Sequence, residues 1–243
     1  MKSLITTAAA LCLLIAIPTV HAGSDRGARP DDDDALEADA ASRKCLEFGA
    51  LSLVVQANVT DGDAEIFVTV IGQDSPLKAL EIRTPRGRRI VSVATSPDTG
   101  LREFILESAE ITDLRRLFDS FPEGTYQFSA RSVAGDCLRG SARLSHLMAM
   151  APVLLTPGEH QILPRERFLV RWSAVPQAVS YGVELKNVAT GRKLVAELPA
   201  GTLNFLVPSA WLQTASAYLV AVGATLASGN ASSSEIVVST AGE

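Results

Sequence analysis

The sequence predicts an all-β protein with two tandem β-sandwich domains and one short helix in the first. Three observations support this prediction. Strand-length runs of apolar and aromatic residues recur between 168 and 240, separated by turn-rich stretches. Similar runs at 50–57 and 64–71 flank the step Asp61-Gly62, which is a strong hairpin signal. Helical spacing of apolar residues is confined to a short stretch before Pro122.

Residues 1–22 have the features of a secretory signal peptide. Lys2 precedes an apolar run from Leu4 to Ile17, and small residues near its end suit cleavage after Ala22. The apolar run is shorter than the roughly 20 residues that a membrane-spanning helix needs. We therefore expect an exported protein, periplasmic or extracellular, whose mature chain has no transmembrane segment.

Residues 23–44 differ in composition from the rest of the chain. Four consecutive aspartates at 31–34 are followed by Glu37 and Asp39. A run of like charges repels itself and cannot bury apolar area, so a disordered acidic leader is predicted. The whole chain has a net charge of −5, which argues against nucleic acid as a partner.

Two cysteines, Cys45 and Cys137, remain once the signal peptide with Cys12 is removed. In an exported chain, an even number of cysteines favours a disulfide. The alternative is a redox-active pair, but the Cys-x-x-Cys spacing that lowers a thiol pKa does not occur. The sequence therefore predicts a structural disulfide between these two residues.

The first globular unit is expected to span residues 45–150. Strands at 77–84 and 89–94 flank the turn 85–88, and the last strand pair is predicted at 127–133 and 137–144. The helix is predicted to begin at Ser108 or a neighbour and to end before Pro122, with Ile111, Leu114, Leu117 and Phe118 on one apolar stripe.

The second globular unit is expected to span residues 151–243, after a junction at 152–164. Its characteristic residues are Trp172, Tyr181, and a leucine, Leu212, six positions before Tyr218. This arrangement resembles a fibronectin type III domain, in which a tyrosine corner would bond the Tyr218 hydroxyl back to the preceding loop. The resemblance implies a fold and is silent on a ligand.

Taken whole, the chain resembles secreted bacterial proteins of unassigned activity that carry an immunoglobulin-like domain followed by a fibronectin type III-like domain. The residues that carry this resemblance are Asn58 to Asp63, Glu107 to Glu110, Phe121 to Tyr126, and the junction at Pro152. What it implies is an immunoglobulin-like β-sandwich at 45–150, a fibronectin type III-like β-sandwich at 151–243, and export. It implies no chemistry.

Motifs for catalysis, metal binding or cofactor binding are weak in this sequence. His146 and His160 stand without other ligand types at metal spacing, and no Gly-x-Ser-x-Gly elbow occurs. We therefore predict no metal, no cofactor and no enzymatic activity. The alternative function is a carboxylate-dependent, glycosidase-like hydrolase that uses Glu107 and Glu110. The same two acids are more simply explained as residues that complement a helix dipole.

The preferred function is an exported, non-catalytic interaction or spacer module that acts at the cell envelope or outside the cell. Its unidentified partner is expected to be an envelope protein or glycan. Arg86, Arg88 and Arg89, with Arg83 nearby, crowd one hairpin and suit phosphate or sulfate groups on such a glycan. Trp211 is the second binding candidate, as an exposed aromatic anchor. Its alternative role is packing against the first domain.

Overall fold

The computed structural model describes residues 45–74, 76–96, 99–164 and 167–242. The predicted signal peptide and acidic leader lie outside these residues. The described chain is all-β, as predicted: it forms fifteen strands, one α-helix and one 3-10 turn. The seven-residue helix α1 is the only α-helix in the described part of the chain.

The strands form two sets along the chain, divided between β7 and β8, and α1 belongs to the first set. The first set is β1 (Ala50–Asn58), β2 (Asp63–Ile71), β3 (Leu77–Arg83), β4 (Arg89–Ala94), β5 (Glu103–Glu107), then α1 (Leu114–Ser120), β6 (Gly124–Ser132) and β7 (Cys137–Leu144). The second set is β8 (Leu154–Thr156), β9 (Ile162–Leu163), β10 (Phe168–Trp172), β11 (Ala178–Asn187), β12 (Lys193–Pro199), β13 (Asn204–Val207), β14 (Ala217–Leu226) and β15 (Ala231–Thr240).

Each set buries its own hydrophobic cluster between two sheets. In the first sandwich, the sheet β4-β3-β6-β7 packs against β1, β2 and β5. In the second sandwich, the sheet β13-β10-β8 packs against β12, β11, β14 and β15. Successive side chains of a strand point to opposite faces of its sheet. In β2, Ile66, Val68 and Val70 therefore belong to the first core, while Glu65 and Phe67 lie on the opposite face. Trp172 and Tyr181 lie in the second core.

One continuous sheet joins the two sandwiches. Strand β15 pairs in parallel with β1, with Gln56 opposite Ala231 and Asn58 opposite Ser233. The resulting order is β12-β11-β14-β15-β1-β2-β5, hereafter the shared sheet. Since neighbouring strands of one sheet are held by ladder hydrogen bonds, this pairing connects the sandwiches through their backbones.

A single buried side chain, that of Asn230, strengthens this junction. It is 1% exposed, and its Oδ1 accepts from the Val55 N–H at 2.9 Å. Its Nδ2 donates to the carbonyl oxygens of Ser145 at 2.7 Å and Leu147 at 2.8 Å. Asn230 therefore ties the β14–β15 turn both to β1 and to the segment that follows β7.

The predicted helix start is wrong. Residues 103–107 form β5, and α1 begins only at Leu114, where the Asp113 side chain accepts from two backbone N–H groups. Ser108 does not cap a helix; its Oγ accepts from the Ile66 N–H at 2.9 Å. The Ser108 N–H donates to the Ile66 carbonyl oxygen, and Ala64 and Ile111 exchange two backbone hydrogen bonds. Contacts with β2 therefore satisfy backbone groups that a helix from Ser108 would have satisfied internally.

Four strands lie where the sequence predicted none. β5 lies before the predicted helix, β8 and β9 occupy the predicted junction, and β12 occupies a stretch with no strand prediction. β12 is the edge strand of the shared sheet, and Lys193, Val195 and Glu197 on it are exposed. Short or exposed edge strands bury too little apolar surface to leave a clear sequence pattern.

Two predicted links are confirmed. The Tyr218 hydroxyl accepts from the Gln213 N–H at 2.6 Å and donates to the Trp211 carbonyl oxygen at 3.2 Å, which is the tyrosine corner. Cys45 and Cys137 form a disulfide with a Cα–Cα distance of 4.9 Å. This bond attaches the start of the described chain to β7.

Candidate functional site

A cavity of about 700 Å³ lies between the tip of the β3–β4 hairpin and α1. Four arginines converge on it, Arg86 and Arg88 from the hairpin and Arg115 and Arg116 from the helix. The remaining lining residues are Thr84, Asp113, Asp119, Ser120 and Pro122. We call this cavity the arginine cleft.

Local backbone geometry sets the hairpin wall of the arginine cleft. Gly87 has a φ of 78°, in the left-handed region that favours glycine, and its N–H donates to the Thr84 carbonyl oxygen. This turn places Arg86 and Arg88 on either side of Gly87. The Arg88 guanidinium then donates to the Ser120 carbonyl oxygen at 2.9 Å, which attaches the hairpin tip to the end of α1.

The charge in the cleft suits an anion. Four arginines and two aspartates line the cleft. The Asp113 carboxylate accepts from the backbone N–H groups of Arg115 and Arg116 at 3.0 and 3.2 Å, as the cap of α1. Guanidinium groups present planar forks of donors that match phosphate and sulfate oxygens. The arrangement can therefore hold an anionic group.

The structure separates the arginines that the sequence grouped together. Arg86 and Arg88 line the cleft, whereas Arg89 pairs with Glu81 at 3.4 Å and Arg83 pairs with the same carboxylate at 2.5 Å. The Arg83 guanidinium, with a smaller effect from Arg89, lowers the pKa of Glu81. Arg89 is therefore engaged away from the cleft, and Arg115 and Arg116 take its place.

Trp211 is half-buried and packs against the hydrophobic cluster of its own sandwich. The Arg192 guanidinium carbon lies 4.0 Å from the centroid of its ring, in a cation–π contact. Arg192 therefore covers one face of the Trp211 ring. A role for Trp211 as an anchor for a partner, or in packing against the first domain, stays a prediction.

Glu107 and Glu110 are exposed, and neither lines the arginine cleft. Their notable neighbour is Glu65, which is 7% exposed and whose Oε2 has no hydrogen-bond partner. The pKa of Glu65 is raised to about 8. Burial is the largest cause, followed by a hydrogen bond with the Glu107 carboxylate and by the charges of Glu107, Glu110 and Asp63. Sequence reasoning missed Glu65, although an acid between Ala64 and Ile66 in an apolar strand was the available signal.

Stability should depend on pH through Glu65. Its pKa is higher in the folded protein than its ordinary value, so the folded protein holds a proton that the unfolded chain releases. The free energy of unfolding should therefore fall as pH rises from about 4.5 to about 8. We expect Glu65→Gln to remove part of this slope and to stabilise the protein at pH ~8.5 by on the order of 2 kcal/mol.

Urea denaturation at several pH values measures this effect. Glu197→Gln, on the exposed edge strand β12, is the matched control and should keep the wild-type slope. Identical slopes for wild type and Glu65→Gln would contradict the assignment.

Within the described ranges, no group of three or more His, Cys, Asp or Glu side chains is placed to hold a metal ion. Nor does any helix in this part of the chain have the length and apolar character needed to cross a membrane.

Comparison with known proteins identifies no family for this chain. No family model matches the chain, and no curated protein matches it. Among solved structures, it is similar to the FN1–FN3 domains of chicken CNTN1, with 13% sequence identity and a TM-score of 0.37. The match covers 81% of this chain and 65% of that one, so it spans less than two thirds of the neighbour. Membership of a secreted bacterial group stays a prediction.

Proposed function

We propose that the protein is an exported, non-catalytic interaction module whose arginine cleft binds phosphate or sulfate groups of an envelope glycan. The observation that carries the proposal is the convergence of arginines from two separate elements on one cavity. In this proposal, a signal peptide at 1–22 and a leader at 23–44 precede two domains at 45–150 and 151–243. The disulfide is compatible with an oxidising compartment outside the cytoplasm.

The junction suits such a module. The continuous shared sheet and the hydrogen bonds of Asn230 hold the two sandwiches together, so the second can position the first without a flexible linker. This is the spacer component of the proposal.

A hydrolase that uses Glu107 and Glu110 is not supported by the geometry. Glycoside hydrolysis needs two carboxyl groups on opposite sides of a bound sugar. Here both acids lie on an exposed surface beside the buried Glu65, outside the arginine cleft.

Removing the arginines that supply the cleft's unengaged charge should weaken binding to a sulfated glycan. We expect the triple variant Arg86→Gln, Arg115→Gln and Arg116→Gln to bind a heparin-derived hexasaccharide about tenfold more weakly, or worse, than wild type. Arg88 is left in place because it holds the hairpin to α1. Isothermal titration calorimetry measures the affinity, with inorganic phosphate and sulfate as competitors.

A matched control distinguishes binding in the cleft from attraction to positive charge elsewhere on the surface. Arg131, Arg139 and Arg143 are exposed on β6 and β7, and their replacement with glutamine removes the same charge from an open sheet face. The control should bind like wild type, and the desulfated hexasaccharide should not bind either protein. Equal losses in the two triple variants would reject the cleft as a specific site.

A further inference from the structure

Strand β5 has one edge without a partner among the described strands. It is the last strand of the shared sheet, and its other edge pairs with β2. An unpaired edge presents backbone N–H and C=O groups to which another extended chain can add. The exposed side chains of β5 on the outer face are Glu103, Ile105 and Glu107, and Ile105 is 58% exposed.

The outer face beside this edge carries acidic side chains without a paired cation. Glu107 lies opposite Phe67 on β2, so Glu65, two residues away on β2, shares its face. Asp63 and Glu110 lie within electrostatic range of Glu65. No ion pair among the described residues involves these four acids.

Glu65 differs from the exposed acids around it because it is buried. Its side chain is more than nine-tenths buried, and one of its carboxyl oxygens, Oε2, has no hydrogen-bond partner. Exposed acids on an edge strand can be explained as protection against aggregation, but a buried carboxyl oxygen without a partner cannot. A guanidinium bound beside it would favour loss of the proton that Glu65 holds and would donate to this oxygen.

We propose that the free edge of β5, with Glu65 and Glu107, is a docking site for an extended segment of a partner polypeptide that carries arginine side chains. A strand added to β5 places its alternate side chains on the outer face. The order Glu103, Ile105, Glu107 then selects a segment with an apolar residue between two arginines, each separated from it by one residue. A guanidinium fork can contact two neighbouring carboxyl groups at once.

Other occupants fit less well. Calcium needs six or more oxygen ligands in a fixed arrangement, and no suitable group exists among the described residues. A second copy of the chain, paired antiparallel through β5 about Ile105, would place Glu103 opposite Glu107. Like charges directly opposite each other destabilise a strand pair.

The test uses a labelled peptide with a central valine flanked, at alternate positions, by two arginines. The control peptide carries citrulline, which is neutral and similar in shape, in place of both. We expect fluorescence anisotropy to detect binding of the arginine peptide to the oxidised protein and not of the citrulline peptide. Glu107→Gln and Glu65→Gln should each weaken binding about tenfold, whereas Glu197→Gln on β12 should leave it unchanged.

Hydrogen exchange distinguishes strand addition from loose charge attraction. The arginine peptide should slow exchange of the backbone amides in residues 103–107. Equal binding of the two peptides, unchanged affinity in both glutamine variants, or no added protection of β5 would each overturn the proposal. Binding of calcium chloride alone that is lost in Glu107→Gln would overturn it in favour of a metal site.

Discussion

Replacing Cys45 and Cys137 together with alanine should lower the free energy of unfolding by roughly 4 to 5 kcal/mol. The disulfide joins residues 92 positions apart, so it removes a large part of the conformational freedom of the unfolded chain. It also anchors the backbone pairing of Leu46 with β7, where the Leu46 N–H donates to the Cys137 carbonyl oxygen. Urea denaturation of the oxidised protein and the variant measures the difference.

Chemical reduction provides the control for this prediction. The wild-type protein in excess reductant should unfold at the same urea concentration as the double alanine variant, because neither chain is then cross-linked. If reduction leaves the wild-type midpoint unchanged, the disulfide does not contribute to stability. Titration of the unfolded, unreduced protein should find Cys45 and Cys137 unreactive toward thiol reagents.

Asn230→Ala should destabilise the protein by about 3 kcal/mol. Three hydrogen bonds are lost, one of them buried and two partly buried, and the Val55 N–H and the carbonyl oxygens of Ser145 and Leu147 lose a partner. Each net hydrogen bond contributes about 1 kcal/mol, and buried groups left without partners add to the cost. Calorimetry measures both stability and cooperativity.

The variant should also uncouple the two sandwiches. We expect wild type to unfold in one calorimetric transition and Asn230→Ala to unfold in two, since β1 and β15 then pair without this side chain. Asn204→Ala is the matched control: Asn204 is exposed on β13, so its loss should change stability by less than about 0.5 kcal/mol. A single transition at wild-type stability for Asn230→Ala would contradict this role.

Central strands and the tyrosine corner were predictable because their information is local. The hairpin at Asp61-Gly62 and the Leu212 to Tyr218 spacing each arise from neighbouring residues. The start of α1 was not predictable in the same way. Residues 108–111 contain small, acidic and apolar residues compatible with either state, and their backbone hydrogen bonds with β2 decide against a helix there.

Half of the candidate site could be predicted from the sequence. Arg86 and Arg88 flank a glycine in a turn, which places them at an exposed tip on sequence grounds alone. Arg115 and Arg116 join them only because α1 packs beside that tip. Arg89 leaves the group because its strand position puts it next to Glu81.

Composition, alternation and turn residues were therefore sufficient for the all-β class and the pairing of the cysteines. Three features depend on the tertiary structure: the pairing of β1 with β15, the hydrogen bonds of Asn230 across the junction, and the burial of Glu65. Val55 and Asn230 are 175 residues apart, and a pairing over such a distance leaves no periodic or local signature in a single sequence. Burial of Glu65 likewise depends on the strands beside it, because a side chain on the outer face of an isolated strand is exposed to solvent.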